Sequence, residues 1–498
     1  MTGTSSQPPK GLLSCTGNWI GLLGIIVSAC SLLALLVLLG YDLLVGFDKP
    51  YLGVVIYIAL PGALFAGLLL ILLGVRYQRR LQRRGGVPPR LPRLDLNDPR
   101  QRRNVVLAVC VGFLFLLFSA FGSFRAYQVT ESVAFCGQLC HQVMEPQHTS
   151  YLNSPHARIR CTECHIGPGA EWFVRAKVSG LRQVVAVLAD TYPRPIPVPV
   201  ENLRPARATC EHCHWPDKFY GALELRRRHF LTDPANTPFE LRMLLKVGGA
   251  NPRHGPVGGI HWHMTVGNDI EYIPADKTRQ AIPWVRVTNR ESGKITTYQT
   301  RNGSLPAEQE RLPTRKMDCI DCHNRPTHIF KTPNDALDLA LWLERIDPRI
   351  PSIKLHAAQA LVEGATAETK GQGLDLVADF LASKYPAASE SANIDQAVAE
   401  TQDIFRANFF PEMKTDWRVR PDNIGHKEWP GCFRCHDGEH VSEAGETISA
   451  DCNACHVLIA QGTDEAAQTI DSAGLAFEHP GGEIPPGILC NLCHRGTP

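Results

Sequence analysis

Residues 432–456, CFRCHDGEHVSEAGETISADCNACH, hold two copies of one pattern: two cysteines three positions apart, with a histidine directly after the second. The copies are Cys432/Cys435/His436 and Cys452/Cys455/His456, and four more stand at Cys161/Cys164/His165, Cys210/Cys213/His214, Cys319/Cys322/His323 and Cys490/Cys493/His494. A seventh, Cys136/Cys140/His141, has one extra residue between the thiols. Two thiols on a short turn can add to both vinyl groups of a haem, and the imidazole that follows can ligate the iron. Chance would supply about 0.02 such motifs in a chain of this composition. Zinc ribbons also use CxxC, but they need two pairs to make four ligands and place no histidine after every second cysteine. A disulfide scaffold leaves the trailing histidines unexplained. Cys15, Cys30 and Cys110 lie in or beside apolar runs and read as inert, and the faint lipoprotein box ending at Cys30 is followed by more apolar sequence where a processed lipoprotein turns polar.

Haem c is attached outside the bacterial inner membrane, so the chain has to cross it. Segments 20–40, 51–75 and 105–121 carry the apolar length that a membrane span needs. Residues 76–103 hold ten arginines against two aspartates, whereas 42–50 hold one lysine. The arginine-rich loop is therefore predicted to face the cytoplasm. That orientation places residues 1–17 inside and all seven motifs in the periplasm. A net charge of +2 points to no polyanionic partner such as nucleic acid.

The predicted architecture is mainly α: three transmembrane helices over 18–123, then a loop-rich periplasmic multihaem domain. Its parts are a haem module at 124–214 (motifs 1–3), a β-containing insertion at 215–318, the fourth motif's segment at 319–331, a helical insertion at 332–425 and a C-terminal haem module at 426–498. Within the first insertion, 281–288 and 294–300 flank a glycine-containing loop and read as a hairpin. The second insertion opens with Thr332 as N-cap, Pro333 at N1 and Asp335 in the first turn, and Leu337, Leu341, Leu343 and Ile346 form one stripe. Prolines at 193, 195, 197 and 199 make a stiff extended strap.

The text of 135–183, FCGQLCHQVMEPQHTSYLNSPHARIRCTECHIGPGAEWFVRAKVSGLRQ, resembles the N-terminal haem module of the NapC/NirT family of membrane-anchored quinol dehydrogenases. VENLRP at 200–205, CEHCHWP at 210–216 and CIDCHNRPTH at 319–328 extend the likeness over the first four motifs. The whole layout most resembles the seven-haem inner-membrane quinol-oxidising cytochromes of metal-reducing bacteria. The resemblance implies menaquinol oxidation near the first haem, with electrons passed to periplasmic c-type cytochromes during anaerobic, extracellular-metal respiration. It makes Met144 an alternative to His141 as ligand of the first iron; the bland reading of Met144 is a packing methionine. It also implies a quinol site in which Lys177 fits the family lysine. The acidic position falls near Gln183, which cannot take a proton, so Asp190 or Glu171 are the substitutes. The wider first motif, the extra spans and the last three motifs depart from the simpler relatives, which have one span and four haems.

Six bis-histidine irons need six further histidines, and twelve lie outside the motifs. His156 and His328 match family positions. His426, His440 and His479 flank the C-terminal motifs, and the sixth is His263 or its neighbour His261, which share a face if 260–264 is a strand. His148, His212, His229, His254 and His356 are unassigned. The rival to a quinol-oxidising relay is a terminal reductase of a small oxyanion such as nitrite, which often carries a CxxCK motif; none occurs here. Membrane lipid is the other implied partner, and a homo-oligomer is compatible with the sequence. A pyridine haemochrome assay should return seven haems per chain; six would mean that Cys136/Cys140 is not an attachment site.

Overall fold

The computed structural model describes the chain except residues 1–17, 46–58, 85–94, 140, 168–169, 201–202, 249–257, 265–266, 302–313, 387–391, 464–466, 468, 486–487 and 498. Some side chains within helices, His141 and Glu171 among them, are also outside the description. The N-terminal arm with Cys15, part of the arginine-rich loop, the thiol of Cys140 and His254 therefore lie outside the described residues. Packing divides the chain into two units, residues 1–132 with 165–182, and residues 133–164 with 183–498.

The first unit is helical. Helices α1 (Trp19–Val45) and α2 (Leu60–Arg83) lie against each other, and α3 (Pro99–Thr130) is one continuous helix. The α1–α2 contact is made by small residues: a Cβ built on Gly24 would stand 2.7 Å from the carbonyl oxygen of Gly67, so only glycine lets these backbones approach so closely. At the end of the pair the Asn18 amide donates to the Gly74 carbonyl at 3.0 Å and to Gln78 Oε1 at 2.8 Å. Leu33, Leu36, Phe65 and Leu72 point outward and are exposed, as lipid contact requires.

Trp19–Leu38 and Leu60–Leu81 are the two segments, among the described residues, long and apolar enough to cross a membrane. The third expected span lies inside α3, whose first turns carry Arg100, Arg102 and Arg103. Asp98 caps that helix by accepting from the Arg100 N–H at 2.9 Å.

The second unit has two antiparallel sheets and a helical cluster. Strands β1 (Ala222–Phe230), β2 (Pro238–Lys246) and β8 (His456–Gly462) form one sheet. The other has the order β6 (Arg315–Lys316), β3 (Asn268–Ile273), β4 (Trp284–Asn289), β5 (Ile295–Thr300) and β7 (His440–Ser442). The expected hairpin is β4–β5, paired from Trp284↔Gln299 to Thr288↔Ile295. It stands within a five-stranded sheet, a larger assembly than the hairpin read from the sequence. Strand β1, ALELRRRHF, carries charges on successive positions, and its order comes from pairing and from Arg228–Glu240 and Arg242–Glu224 bridges rather than from alternation of apolar side chains.

Four helices build the main apolar core: Pro333–Trp342, Ile353–Gly364, Lys370–Lys384 and Ala392–Asn408. Thr332 caps the first by accepting from the Asp335 N–H at 3.1 Å. Leu337, Leu341 and Ile346 are buried, but Leu343 is exposed because the helix stops at Trp342 and the chain turns away. Leu361, Val377 and Phe405 close the centre. Replacing Leu361 with Ala should cost about 2–5 kcal/mol, read as a lower melting temperature by far-ultraviolet circular dichroism, while the Soret spectrum at room temperature stays unchanged.

Candidate electron-transfer site

The motifs described in full, the second to the seventh, are short turns that bring their two thiols to one side. Cys161–His165, Cys319–Cys322 and Cys490–Cys493 are single α-helical turns, and Gly431–Arg434 and Cys452–Ala454 are 3₁₀ turns. In either geometry residues three apart stand one above the other, as a two-vinyl linkage demands. The turns are fixed by their caps: Asp318 and Asp321 make a reciprocal capping box at the fourth motif, and Asp451 caps the sixth by accepting from the Asn453 N–H at 2.9 Å.

The thiols of successive motifs are neighbours in chain order. Cys161 is in hydrogen-bond contact with Cys136, which draws its pKa down to about 7. Cys164 lies within electrostatic reach of Cys210 and Cys213. Cys210 and Cys319 share a hydrogen bond that lowers the pKa of the first and raises that of the second. Burial lifts Cys322 to about 11 and Cys435 to about 12, and each is close enough to Cys432 for their charges to interact. Cys455 stands near Cys432 in the same sense, and Cys490 near Cys452. The described thiols of the seven motifs thus follow one another in chain order, from Cys136 to Cys490.

Five motif histidines face a second imidazole. The ring centres are 6.1 Å apart for His156 and His214, 6.3 Å for His261 and His323, 5.8 Å for His263 and His436, 6.2 Å for His426 and His456, and 5.9 Å for His479 and His494. Two imidazole–metal bonds of about 2.0 Å, plus about 1.1 Å from each nitrogen to its ring centre, give about 6 Å for two histidines sharing one metal. The residues therefore fit a bis-histidine iron at each pair. Nδ1 of His156, His261, His263 and His436 meets the backbone carbonyl of Pro326, Val247, Ile260 and Ser449 at 3.0, 2.9, 3.0 and 2.8 Å. Such second-shell bonds set the tautomer that turns Nε2 toward a metal. Burial lowers the pKa of His263, His323, His426, His456 and His494, which keeps these imidazoles neutral and able to ligate. Among the described residues no three or more His, Cys, Asp or Glu side chains converge as a metal-ion cluster, so the four-donor set of a zinc site does not form.

Two expectations change. Residues Ile260–Met264 form a 3₁₀ turn instead of a strand, and at about 120° per residue His261 and His263 diverge, one toward His323 and the other toward His436. His440 is placed elsewhere: it is buried, with Nδ1 bonded to Asp437 at 2.8 Å and Nε2 to the Ile282 carbonyl at 2.6 Å, so both ring nitrogens are engaged by the protein. Burial pulls its pKa down, but the bonds to Asp437 and Ile282 outweigh that and leave it raised. The sequence signal that was missed is that His261 and His263 both precede a long run to the next motif.

His328 has Nδ1 within 3.0 Å of the Gln147 carbonyl and 3.3 Å of Ser150 Oγ, which sets it beside helix α4 (His141–Leu152). Met144 lies half-buried on that helix one turn after His141. The ring of unassigned His148 packs on Gly137 of the first motif, where a Cβ would stand 2.7 Å from its Cγ.

In the first unit, Lys177 on helix Ala170–Leu188 bridges to Glu131 at 2.8 Å. Glu131, which sequence reading overlooked, is 4% exposed and terminates α3. A carboxylate is disfavoured at a helix C-terminus, so the lysine offsets a charge that the helix dipole opposes. Gln183 is exposed and lies six residues further along the helix, on a different face from Lys177. Asp190 is exposed and pairs with Arg194 at 2.5 Å.

Residues 98–195 match the NapC/NirT cytochrome c family, N-terminal region. The chain is 42% identical over 490 residues to the cytochrome c-type protein ImcH of Geobacter sulfurreducens, covering 96% of this chain and 95% of that one. No solved structure matches it. Replacing His261 with Gly should convert one low-spin ferric iron to high spin in the electron paramagnetic resonance of the oxidised protein, whereas the same change at His440 should leave the low-spin count intact.

Proposed function

Because this chain belongs to the NapC/NirT cytochrome c family, a membrane-anchored family of electron-transport proteins that carry covalent haem c, we propose that it oxidises menaquinol at the inner membrane. Seven haems then relay the electrons to periplasmic c-type cytochromes. The observation that carries this reading is the row of thiols in chain order from Cys136 to Cys490. Bound haem c supplies a series of one-electron carriers. The polypeptide would hold them in sequence, and burial keeps His263, His323, His426, His456 and His494 neutral. The proposed orientation puts three spans in the membrane and the motif-bearing unit in the periplasm, with Cys136/Cys140 counted as the seventh attachment site and Met144 or His141 on its iron.

Oxidising a quinol to a quinone releases two electrons and two protons. Glu131 is suited to receive a proton, since it is nearly enclosed and an acid there replaces the one that Gln183 cannot provide. Lys177, 2.8 Å from Glu131, is suited to orient a quinol oxygen beside that carboxylate. The reductase alternative is less well supported. Five motif histidines already face a partner imidazole, which leaves those irons no open position for an oxyanion.

Replacing Glu131 with Gln keeps size and hydrogen bonding but removes the base. The rate of haem reduction by a menaquinol analogue in stopped flow should fall by about 10²-fold or more, while dithionite still reduces every haem. Replacing Lys177 with Met should impair the same step. Unchanged quinol rates in both variants would remove this pair from the reaction.

A further inference from the structure

We propose that Arg420, with Arg325 beside it, receives a carboxylate that the polypeptide does not supply, and that this carboxylate is a propionate of an attached haem. The proposal rests on haem c attachment and not on the quinol reading. Arg420 is buried to 2% exposure. Its Nη1 donates to the Ile196 carbonyl at 2.8 Å and its Nη2 to Thr415 Oγ1 at 3.2 Å, with the guanidinium 5.9 Å from the centre of the Phe330 ring. These are neutral partners. Its Nε, also buried, has no acceptor. Burial draws its pKa down to about 10, and no neighbouring carboxylate counters the pull.

A second guanidinium makes the imbalance larger. Arg325 donates from Nε to the carbonyl of Pro421 at 3.3 Å, next to Arg420, and the two like charges repel. Asp422 carries a charge that reaches Arg325, but its carboxylate accepts from the Ile424 N–H at 3.0 Å and burial raises its pKa, which weakens it as a counter-charge. A buried cation with an unanswered donor, beside a second, half-buried one, calls for an anion. A guanidinium edge matches a carboxylate, which can accept two parallel hydrogen bonds.

The location selects the source. Ile196 lies on the proline strap between the second and third motifs, Arg325 follows the fourth motif's histidine by two residues, and Phe330 follows His328 by two. Two of the segments that meet at Arg420 thus directly follow histidines proposed to serve haems, the third links two haem motifs, and each haem brings two propionates on one ring edge. Cationic neighbours keep a propionate ionised, and a positive charge beside a haem favours the ferrous state.

The test uses the full-length holoprotein and the variants Arg420→Gln and Arg420→Lys. Haem content by pyridine haemochrome should be unchanged in both. In a potentiometric titration followed by electron paramagnetic resonance, Arg420→Gln should lower the midpoint of one haem and leave the others in place, with Arg420→Lys restoring most of the shift. In redox difference infrared spectra of protein made with ¹³C-propionate-labelled haem, a labelled carboxylate band should move in Arg420→Gln. Full haem content with every midpoint and every labelled band unchanged in Arg420→Gln would overturn the proposal. So would wild-type potentials that follow an exchange of chloride for sulfate while the labelled bands stay fixed, since the anion would then come from solvent. Should Arg420→Gln fail to fold, Arg420→Lys decides alone, by a moved or an unmoved labelled band.

Discussion

Two imidazoles can share an iron only with their ring centres about 6 Å apart, and five pairs in this chain hold that spacing. Aromatic rings of other kinds also sit at such separations; what sets these five pairs apart is that one ring of each belongs to a haem-attachment motif. The two apolar clusters of the second unit lie in the helical insertion and in the five-stranded sheet, with Cys435 at the edge of the latter. Around the motifs themselves, Trp215, Ile329, Ile424, Phe477 and Leu492 are left exposed by the polypeptide. Attached haems, which are large and apolar, would offer such side chains a surface to cover.

The same constraint explains the electrostatics. Burial lowers the pKa of His263 and of His323, in the latter against the pull of Asp422, and keeps them neutral, whereas His440, bonded to Asp437, is kept basic and stays out of the row. Buried arginines divide in the same way. Arg434 satisfies its guanidinium on the backbone carbonyls of Gly431, Arg279 and Asp321, while Arg420 keeps an unanswered Nε. Sheets and helices serve as spacers: strand β8 begins at His456, and β7 begins at His440, so sheet pairing itself fixes the loop between the fifth and sixth motifs.

The candidate motifs could be named from sequence because covalent attachment writes itself into local spacing: two thiols and a histidine within five or six residues need no tertiary information. The distal histidines were legible only in part. His156, His263, His426 and His479 stand opposite motif histidines, but His440 was misplaced because nearness to a motif in sequence says nothing about where Asp437 turns the ring. His261 was undervalued because a strand and a 3₁₀ turn distribute alternate residues differently. Strands β1 and β2 escaped notice since their charged faces lack the period of two, and the β2–β8 pairing joins residues more than two hundred positions apart. Glu131 carries no motif at all; only its burial beside Lys177 marks it.

The account stands on the facing imidazoles being iron ligands arranged in one row. A cryo-electron microscopy map of the holoprotein measures this directly through the iron positions. The account predicts an iron midway between the rings of each of the five pairs, His261 and His323 included, and seven irons ordered along the chain as their motifs are. A map with His261 turned away from the iron of His323, or with a break in the row between the fourth and fifth motifs, would contradict it.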